Sequence, residues 1–408
     1  MSFKILSVNS GSSSIKCKLF LMPEKKLLAY FVVERLGTNS TCKVTIEGKD
    51  AQVYPMNGKT LIDAVDCIID LMVTTGVVND LSEIKGIGHR VVQGGDYFDD
   101  AVEFNADVEQ KILNLVPLAP LHNPANLACY REFKKKIPNV GEVAVFDTTL
   151  FCHLPDDERY YPIDYDLTEK YHIRRYGAHG ISHKYLYNKC VKDYFNNVFS
   201  NKNIITMHIG NGASLSAFKN GVCIATSMGL TPLGGVMMGT RCGDLDPSIV
   251  TYIEDISGMS SGQIEYILTK HSGLLGVSGI SNDVRDIKKA IDEDNNKRAL
   301  LAKNLFLHSI AKQIGSYYVE LGRIDALVFS GGIFENSVSF RKGLVDISKE
   351  ALGLDLDDKA NEIMKNGKEG LISTDKSKVS MVVIPTDEEL MIAIEAARIL
   401  KLQWKITM

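Results

Sequence analysis

The residues best suited to chemistry in this chain are grouped for handling anions. "NSGSSSIK" (9 to 16) sets Asn9, a glycine, four serines including Ser12, and Lys16 between two apolar runs. Neither G-x-x-x-x-G-K-[ST] nor G-x-G-x-x-G is present, so the spacing excludes a P-loop and a dinucleotide fingerprint. Two readings stand: a polar hairpin tip with an exposed lysine, or a nest of amides and hydroxyls that receives a cluster of anionic oxygens.

Two arginines lie in glycine-flanked segments, Arg90 in "GHRVVQGG" and Arg241 in "MMGTRCGDLDP". On a stiff turn a guanidinium takes a carboxylate or phosphate with two parallel hydrogen bonds, whereas most single arginines simply form exposed ion pairs. His122 in "APLHNPANLACYREF" precedes Asn123 as N-cap and Pro124 at the first helical position, beside a positive helix terminus, although packing or capping is the commoner role for such a histidine. His179 and His183 in "RRYGAHGISHKY" have a spacing that suits a metal, but Gly180 puts His179 in a turn and no third ligand is near, so zinc is discounted. Asp147 ends the strand "VAVFD", where α/β proteins place active-site groups and where a turn former also sits. In "PTDEELMIAIEAARIL", Thr386 as N-cap and Glu389 at the third helical position form a capping box. That leaves Glu388 for a Mg²⁺ shell, and Asp147 with Glu388 would suffice for one.

These groups need a scaffold. β-branched runs ("KILSVN", "VAVFDTT", "NIITMHIGNG", "IDALVFSGG", "VSMVVIPT") alternate with helical patterns, which predicts an α/β fold, and the helix from Asn296 stops at Gly322. Subtracting 200 from the numbering lays "IITMHIGNGASLSAFKNG" over the opening stretch, with Ile205 on Ile5 and Ser214 on Ser14. A second echo sets "EVAVFDTT" (142 to 149) against "DALVFSGG" (325 to 332). Together they predict a duplicated domain with a ligand cleft between the halves, and the repeat at "GNGAS" favours phosphate at the serine-rich tip.

With 408 residues, 45% hydrophobic, the chain can fill two domains. A net charge of −4 leaves no strongly basic surface and argues against nucleic acid or an anionic membrane as the main partner. Eight cysteines without a C-x-x-C pair suggest reduced thiols, and the absence of a signal-like or 18-residue apolar segment predicts a soluble cytoplasmic protein.

"NSGSSSIK", "GHRVV", "PLAPLHNP", "VAVFDTT", "HIGNGAS", "TSMGLTPLGGVMMGTRCGDLDP", "SGLLGVSGISNDVRDI", "GGIFENS" and "IPTDEELMIA" together resemble the acetate kinase family, in order from residue 5 to about 395. The resemblance implies the duplicated sugar-kinase, Hsp70 and actin fold, with an N-terminal domain of 1–150 plus 387–408 and a C-terminal nucleotide-binding domain of 151–386. It also implies a homodimer and reversible, direct in-line phosphoryl transfer from ATP to a short carboxylate, giving ADP and an acyl phosphate, with Mg²⁺ or Mn²⁺ and closure on substrate. By the same resemblance, Asn9 and Glu388 are metal positions, and Ser12 and His122 contact phosphate. Lys16, His208, Ile209, Gly210, Asn211, Gly212, Asp283, Val284, Arg285, Gly332, Ile333, Phe334, Glu335 and Asn336 are nucleotide positions. Arg90 binds the carboxylate, Asp147 is the catalytic acid, here read as a metal and geometry organiser, and His179 with Arg241 stabilises the transition state. Val92, Leu121, Ala178 and Pro232 line the acyl pocket.

The chain departs from the family pattern at several points. Ala178 replaces a phenylalanine, which opens room for longer acids at roughly 0.8 kcal/mol per buried methylene. Gln93 replaces a histidine and Gly234 a glutamate. Phe334 replaces a glycine behind the adenosine pocket, which suggests altered nucleotide preference or a smaller donor such as pyrophosphate. An ATP-driven clamp would need neither Arg90 nor Arg241, and a sugar kinase would need a base to deprotonate a hydroxyl.

Overall fold

The computed structural model describes residues 2–11, 13–37, 40–56 and 58–402. Ser12 therefore lies outside the described residues. The chain divides into two compact units, Met1–Cys152 with Asp387–Met408, and His153–Thr386.

In the first unit, β1 (Phe3–Ser10) and β2 (Ser14–Met22) form an antiparallel hairpin in which Asn9 faces Lys16 and Ser7 faces Lys18. Gly11 N donates to Ser14 O at 2.8 Å and closes the tip. β3 (Lys26–Glu34), β4 (Thr41–Ile46) and β5 (Gln52–Pro55) extend the sheet on one side, and β6 (Ile84–Val91), β8 (Gly141–Phe146) and β7 (Val102–Glu103) on the other, in the order β5-β4-β3-β2-β1-β6-β8-β7.

Alternation along a strand sends successive side chains to opposite faces. Leu6, Val8, Cys17 and Leu19 accordingly enter a core with Ile68, Met72 and Phe133 from the helices Leu61–Thr74 and Asn123–Lys136. The helix Glu388–Ile399 packs on β1, β2, β6 and β8. It seats closely because Gly86, Gly88 and Gly141 have no side chain: a Cβ at Gly88 would stand 2.6 Å from Ile392, and one at Gly141 2.6 Å from Leu400.

The second unit repeats the plan. β9 (Asn203–Ile209), β10 (Ala213–Lys219), β11 (Val222–Thr226), β12 (Ala326–Ser330), β13 (Gly370–Leu371) and β14 (Ser380–Val383) are ordered β11-β10-β9-β12-β14-β13. Met207, Leu215, Phe306, Ile310 and Phe329 share its core. The long helix Lys297–Leu321 ends on Gly322 at φ +74°, as its sequence predicts.

The run β3-β2-β1-β6-β8 corresponds strand for strand to β11-β10-β9-β12-β14, antiparallel through the hairpin and parallel thereafter. The first echo is thus a true correspondence. The second is not: "VAVFDTT" is β8, the fifth strand of the run, while "ALVFSGG" is β12, the fourth. Buried parallel strands converge on similar β-branched sequences wherever they stand in a sheet.

Two helix starts also differ from expectation. Asp387, not Thr386, caps the helix at Glu388, and His122 occupies the cap position before Asn123. Asn123 instead accepts from Gln93 N at 3.1 Å and donates to Gln93 O at 3.1 Å. Internal chain pairing outcompetes capping here because both groups are buried.

Candidate active site

In the first unit the functional groups stand at strand ends and at one helix start. Arg90, penultimate in β6, donates from Nε (3.1 Å) and Nη2 (2.5 Å) to Asp147 Oδ2 and from Nη1 to Asn9 Oδ1 at 3.0 Å. Burial works against its charge, but Asp147, Glu388 and Glu389 outweigh that and hold its pKa above the ordinary value. Asp147 follows β8 directly and is fully buried, and its Oδ1 has no hydrogen-bond partner among the described residues.

Glu388 opens the helix beside these groups. Desolvation raises its pKa to about 7 against the pull of Arg90, with Asp147 and Glu389 adding to the rise. An orphaned buried carboxylate oxygen next to a glutamate that resists ionisation is a site short of positive charge, and the residues fit a hard divalent cation. Asn9 is held at both ends, its Nδ2 donating to Glu389 Oε1 at 3.2 Å and its Oδ1 accepting from Arg90 with one lone pair still open. Glu389 therefore does not close a capping box on Thr386.

His122 sits exposed at the start of the Asn123–Lys136 helix. Val92 is buried, while Leu121 is exposed. Gln93, without explanation from sequence, accepts from Gly95 N through Oε1 at 2.9 Å and so shapes the turn after Arg90.

In the second unit, the tip between β9 and β10 is closed by Gly210 N donating to Gly212 O at 2.9 Å. Gly212 lies against two functional side chains, since a Cβ there would stand 3.4 Å from His179 Cε1 and 3.6 Å from Arg241 Nη1. His179, at φ +61° just before the helix Gly180–Tyr194, pairs through Nδ1 with Ser214 Oγ at 2.8 Å and stacks on His208 at 4.4 Å. Arg241 donates from Nη1 to Pro232 O at 2.9 Å, and burial draws its pKa down. No carboxylate pairs with it among the described residues, which leaves a desolvated guanidinium suited to an incoming anion.

His208 pairs through Nδ1 with Ser182 Oγ, itself 2.7 Å from Thr386 Oγ1. Ala178 is buried in the second unit's core, and Pro232 is partly exposed.

Gly210, Asn211, Asp283, Val284, Arg285, Gly332, Ile333 and Asn336 line one cavity of about 820 Å³ in this unit. Gly331 takes φ +79° with its α-carbon against Ile209, where any Cβ would fall 2.6 Å from Ile209 N. Two expected nucleotide contacts turn elsewhere. Glu335 accepts from Gly331 N, Ser330 Oγ and Thr386 N and holds the loop together. Phe334 is fully buried against Phe329, at 5.3 Å between rings, and so neither narrows the cavity nor stacks on a base. The reason for a smaller donor disappears with it.

A sequence model of the acetokinase family matches residues 4–394. The chain belongs to the acetokinase family. An acetate kinase of Caldanaerobacter subterraneus subsp. tengcongensis is 43% identical over 401 residues, 98% of this chain and 99% of that protein. Among solved structures, Porphyromonas gingivalis acetate kinase superposes with a TM-score of 0.91 at 40% identity, covering 98% of this chain and all of that one. A propionate kinase from Francisella tularensis superposes at 0.89 with 39% identity, over 97% of this chain and 99% of its own. These likenesses fix the duplicated actin-like fold.

In this acetokinase, sequence reasoning missed Lys18, which pairs with Asp387 and Glu389, and the cavity residues Lys288, Glu362 and Lys365. A second lysine two residues after Lys16 was the available signal for Lys18: the period of a strand puts both on one face. The three cavity residues carry no motif: Lys288 and Glu362 come from two helices and Lys365 from the segment after the second, brought together only by the fold.

Proposed function

We propose that this acetokinase transfers the terminal phosphoryl group of ATP to a short-chain carboxylate, reversibly, giving ADP and an acyl phosphate. The observation that carries the reading is the Arg241 guanidinium, half-buried without a carboxylate partner among the described residues and set with His179 against the Gly210–Gly212 turn. Donors so arranged neutralise charge on a transferring phosphoryl group.

A carboxylate is a competent nucleophile at neutral pH, so no residue need act as base. One of its oxygens attacks the γ-phosphorus as the bond to the β,γ-bridging oxygen breaks, and ADP leaves in line. Arg90, fixed by Asp147 and Asn9, receives the carboxylate. The residues lining the second unit's cavity bind the nucleotide. Glu388 and Asp147, with Asn9, would hold Mg²⁺, which supplies charge neutralisation at the phosphates.

Alanine at position 178 supports propionate as a substrate at least as good as acetate. We place the enzyme in the cytoplasm as a homodimer. Support for the dimer comes from the helix Ser248–Ser257, which buries none of its residues and presents Ile249, Tyr252 and Ile256 at 42%, 63% and 66% exposure along one stripe.

The test is ATP with acetate, propionate and butyrate, trapping acyl phosphate with hydroxylamine. Hydroxamate formation is the expected result. None from any acid would end the reading, and a steady fall in kcat/KM from acetate through butyrate would end the chain-length part.

A further inference from the structure

The hairpin face that carries Asn9 and Lys16 also carries Lys18, opposite Ser7. Its side chain is 16% exposed, with the ammonium 2.8 Å from Asp387 Oδ1 and 3.2 Å from Glu389 Oε2. The other oxygen of Glu389 accepts from Asn9 Nδ2 at 3.2 Å, and Asn9 Oδ1 accepts from Arg90 Nη1 at 3.0 Å. A line of contacts therefore runs from Lys18 through Glu389 and Asn9 to Arg90, wholly within the first unit.

The chemistry of the four groups gives this line one polarity. A lysine ammonium and a guanidinium only donate, and an ionised carboxylate only accepts. Asn9, held between an acceptor and a donor, can satisfy both in one amide orientation alone, with its carbonyl toward Arg90. Turned over, it would set N–H against guanidinium and carbonyl against carboxylate, leaving buried groups unpaired.

We infer that Lys18 and Glu389 are positioning residues that lock the Asn9 amide, so that its carbonyl faces Arg90 and the acidic site formed by Asp147 and Glu388. The inference rests on the proposed function for the role given to Asn9. Lysine is needed because Glu389, only 11% exposed, would otherwise be an almost buried carboxylate without a counter-charge. Groups that orient a ligand from behind typically change metal affinity or activity about 10- to 100-fold when removed.

The experiment uses the full chain and the variants Lys18→Met, Lys18→Arg and Glu389→Gln. Mn²⁺ binding is read by electron paramagnetic resonance without substrate, ADP binding is measured in chelator, and kcat and KM are measured for the carboxylate. Lys18→Met is expected to weaken Mn²⁺ binding and lower kcat by about 10- to 100-fold. Metal-free ADP affinity stays at the wild-type value, and Lys18→Arg recovers most of the loss. Should Lys18→Met fail to fold, Glu389→Gln, which keeps the shape, carries the same expectation. Folded variants that bind Mn²⁺ as the wild type does would overturn the inference. A wild-type chain that makes no acyl phosphate overturns the functional reading instead, and the Mn²⁺ measurement still decides the lock.

Discussion

Arg90 and Arg241 look alike in sequence, each in a glycine-flanked turn, but they live differently. Arg90 is held by Asp147 and Asn9 and keeps its charge firmly, whereas Arg241 meets a carbonyl and a thioether sulfur and no carboxylate among the described residues, with burial pulling its pKa down. The first is a fixed clamp and the second awaits an anion. Arg241→Lys is expected to lower kcat by about 10²- to 10³-fold with the fold intact by circular dichroism, because an ammonium cannot copy the planar fork. Phe334 gives the opposite expectation. Phe334→Ala should cost about 3–5 kcal/mol in denaturant unfolding and leave the preference among ATP, GTP and pyrophosphate unchanged. A shift in donor preference would show that the ring reaches the cavity after all. Residue types suggested each arginine's site, but the difference between them was invisible, because it depends on Arg90 meeting Asn9 and Asp147 from far away in sequence. Gly234 is a further case: a Cβ there would stand 3.3 Å from Asp244 Oδ1, so the glutamate of the family pattern would face an acid in this chain.

The elements were legible where local physics dominates. The two Gly/Ser hairpin tips, the long helix closed by Gly322 and the strand ending at Asp147 all follow from periodicity and turn chemistry. Helix starts were less so, since Asn123 and Thr386 found tertiary partners that local rules cannot see. The helix Gly180–Tyr194 shows what such partners do. His183, on its first turn, is fully buried between Thr206 Oγ1 at 2.7 Å and Ser214 Oγ at 2.8 Å, and burial, helped by His208, holds its pKa well below the ordinary value. Folded His183 is neutral while the unfolded chain protonates near pH 6.5. Its share of stability is therefore complete above about pH 6.5 and declines as the pH falls, by up to about 1.4 kcal/mol per pH unit. Urea unfolding at pH 7.5, 6.5 and 5.5 should show this slope in the wild type and lose it in His183→Asn. Parallel slopes in the two proteins would mean another group is responsible.

At the scale of the whole molecule, an offset of 200 residues in the sequence revealed the duplication, but the second echo matched the wrong strands. Strand order corrects it, pairing β6 with β12 and β8 with β14. What no repeat could disclose is that the first unit is discontinuous: residues after Asp387 return to it, and Met391, Ile392, Ala393, Ala396 and Ala397 are buried there. A chain stopped after Thr386 should lose the first unit's protection in hydrogen exchange while the second unit keeps its own. Uniform protection in the truncated chain would contradict this.

That discontinuity also sets a schedule for synthesis. The helix at Glu388 leaves the ribosome some 236 residues after the segment ending at Cys152. At about 5–20 residues per second, Arg90 and Asp147 wait roughly 10–50 s for the glutamate beside them. Chains released after Asn366 and before Glu388 would carry the complete cavity of the second unit without the acid at 388, and on the function proposed above would hold ATP without spending it.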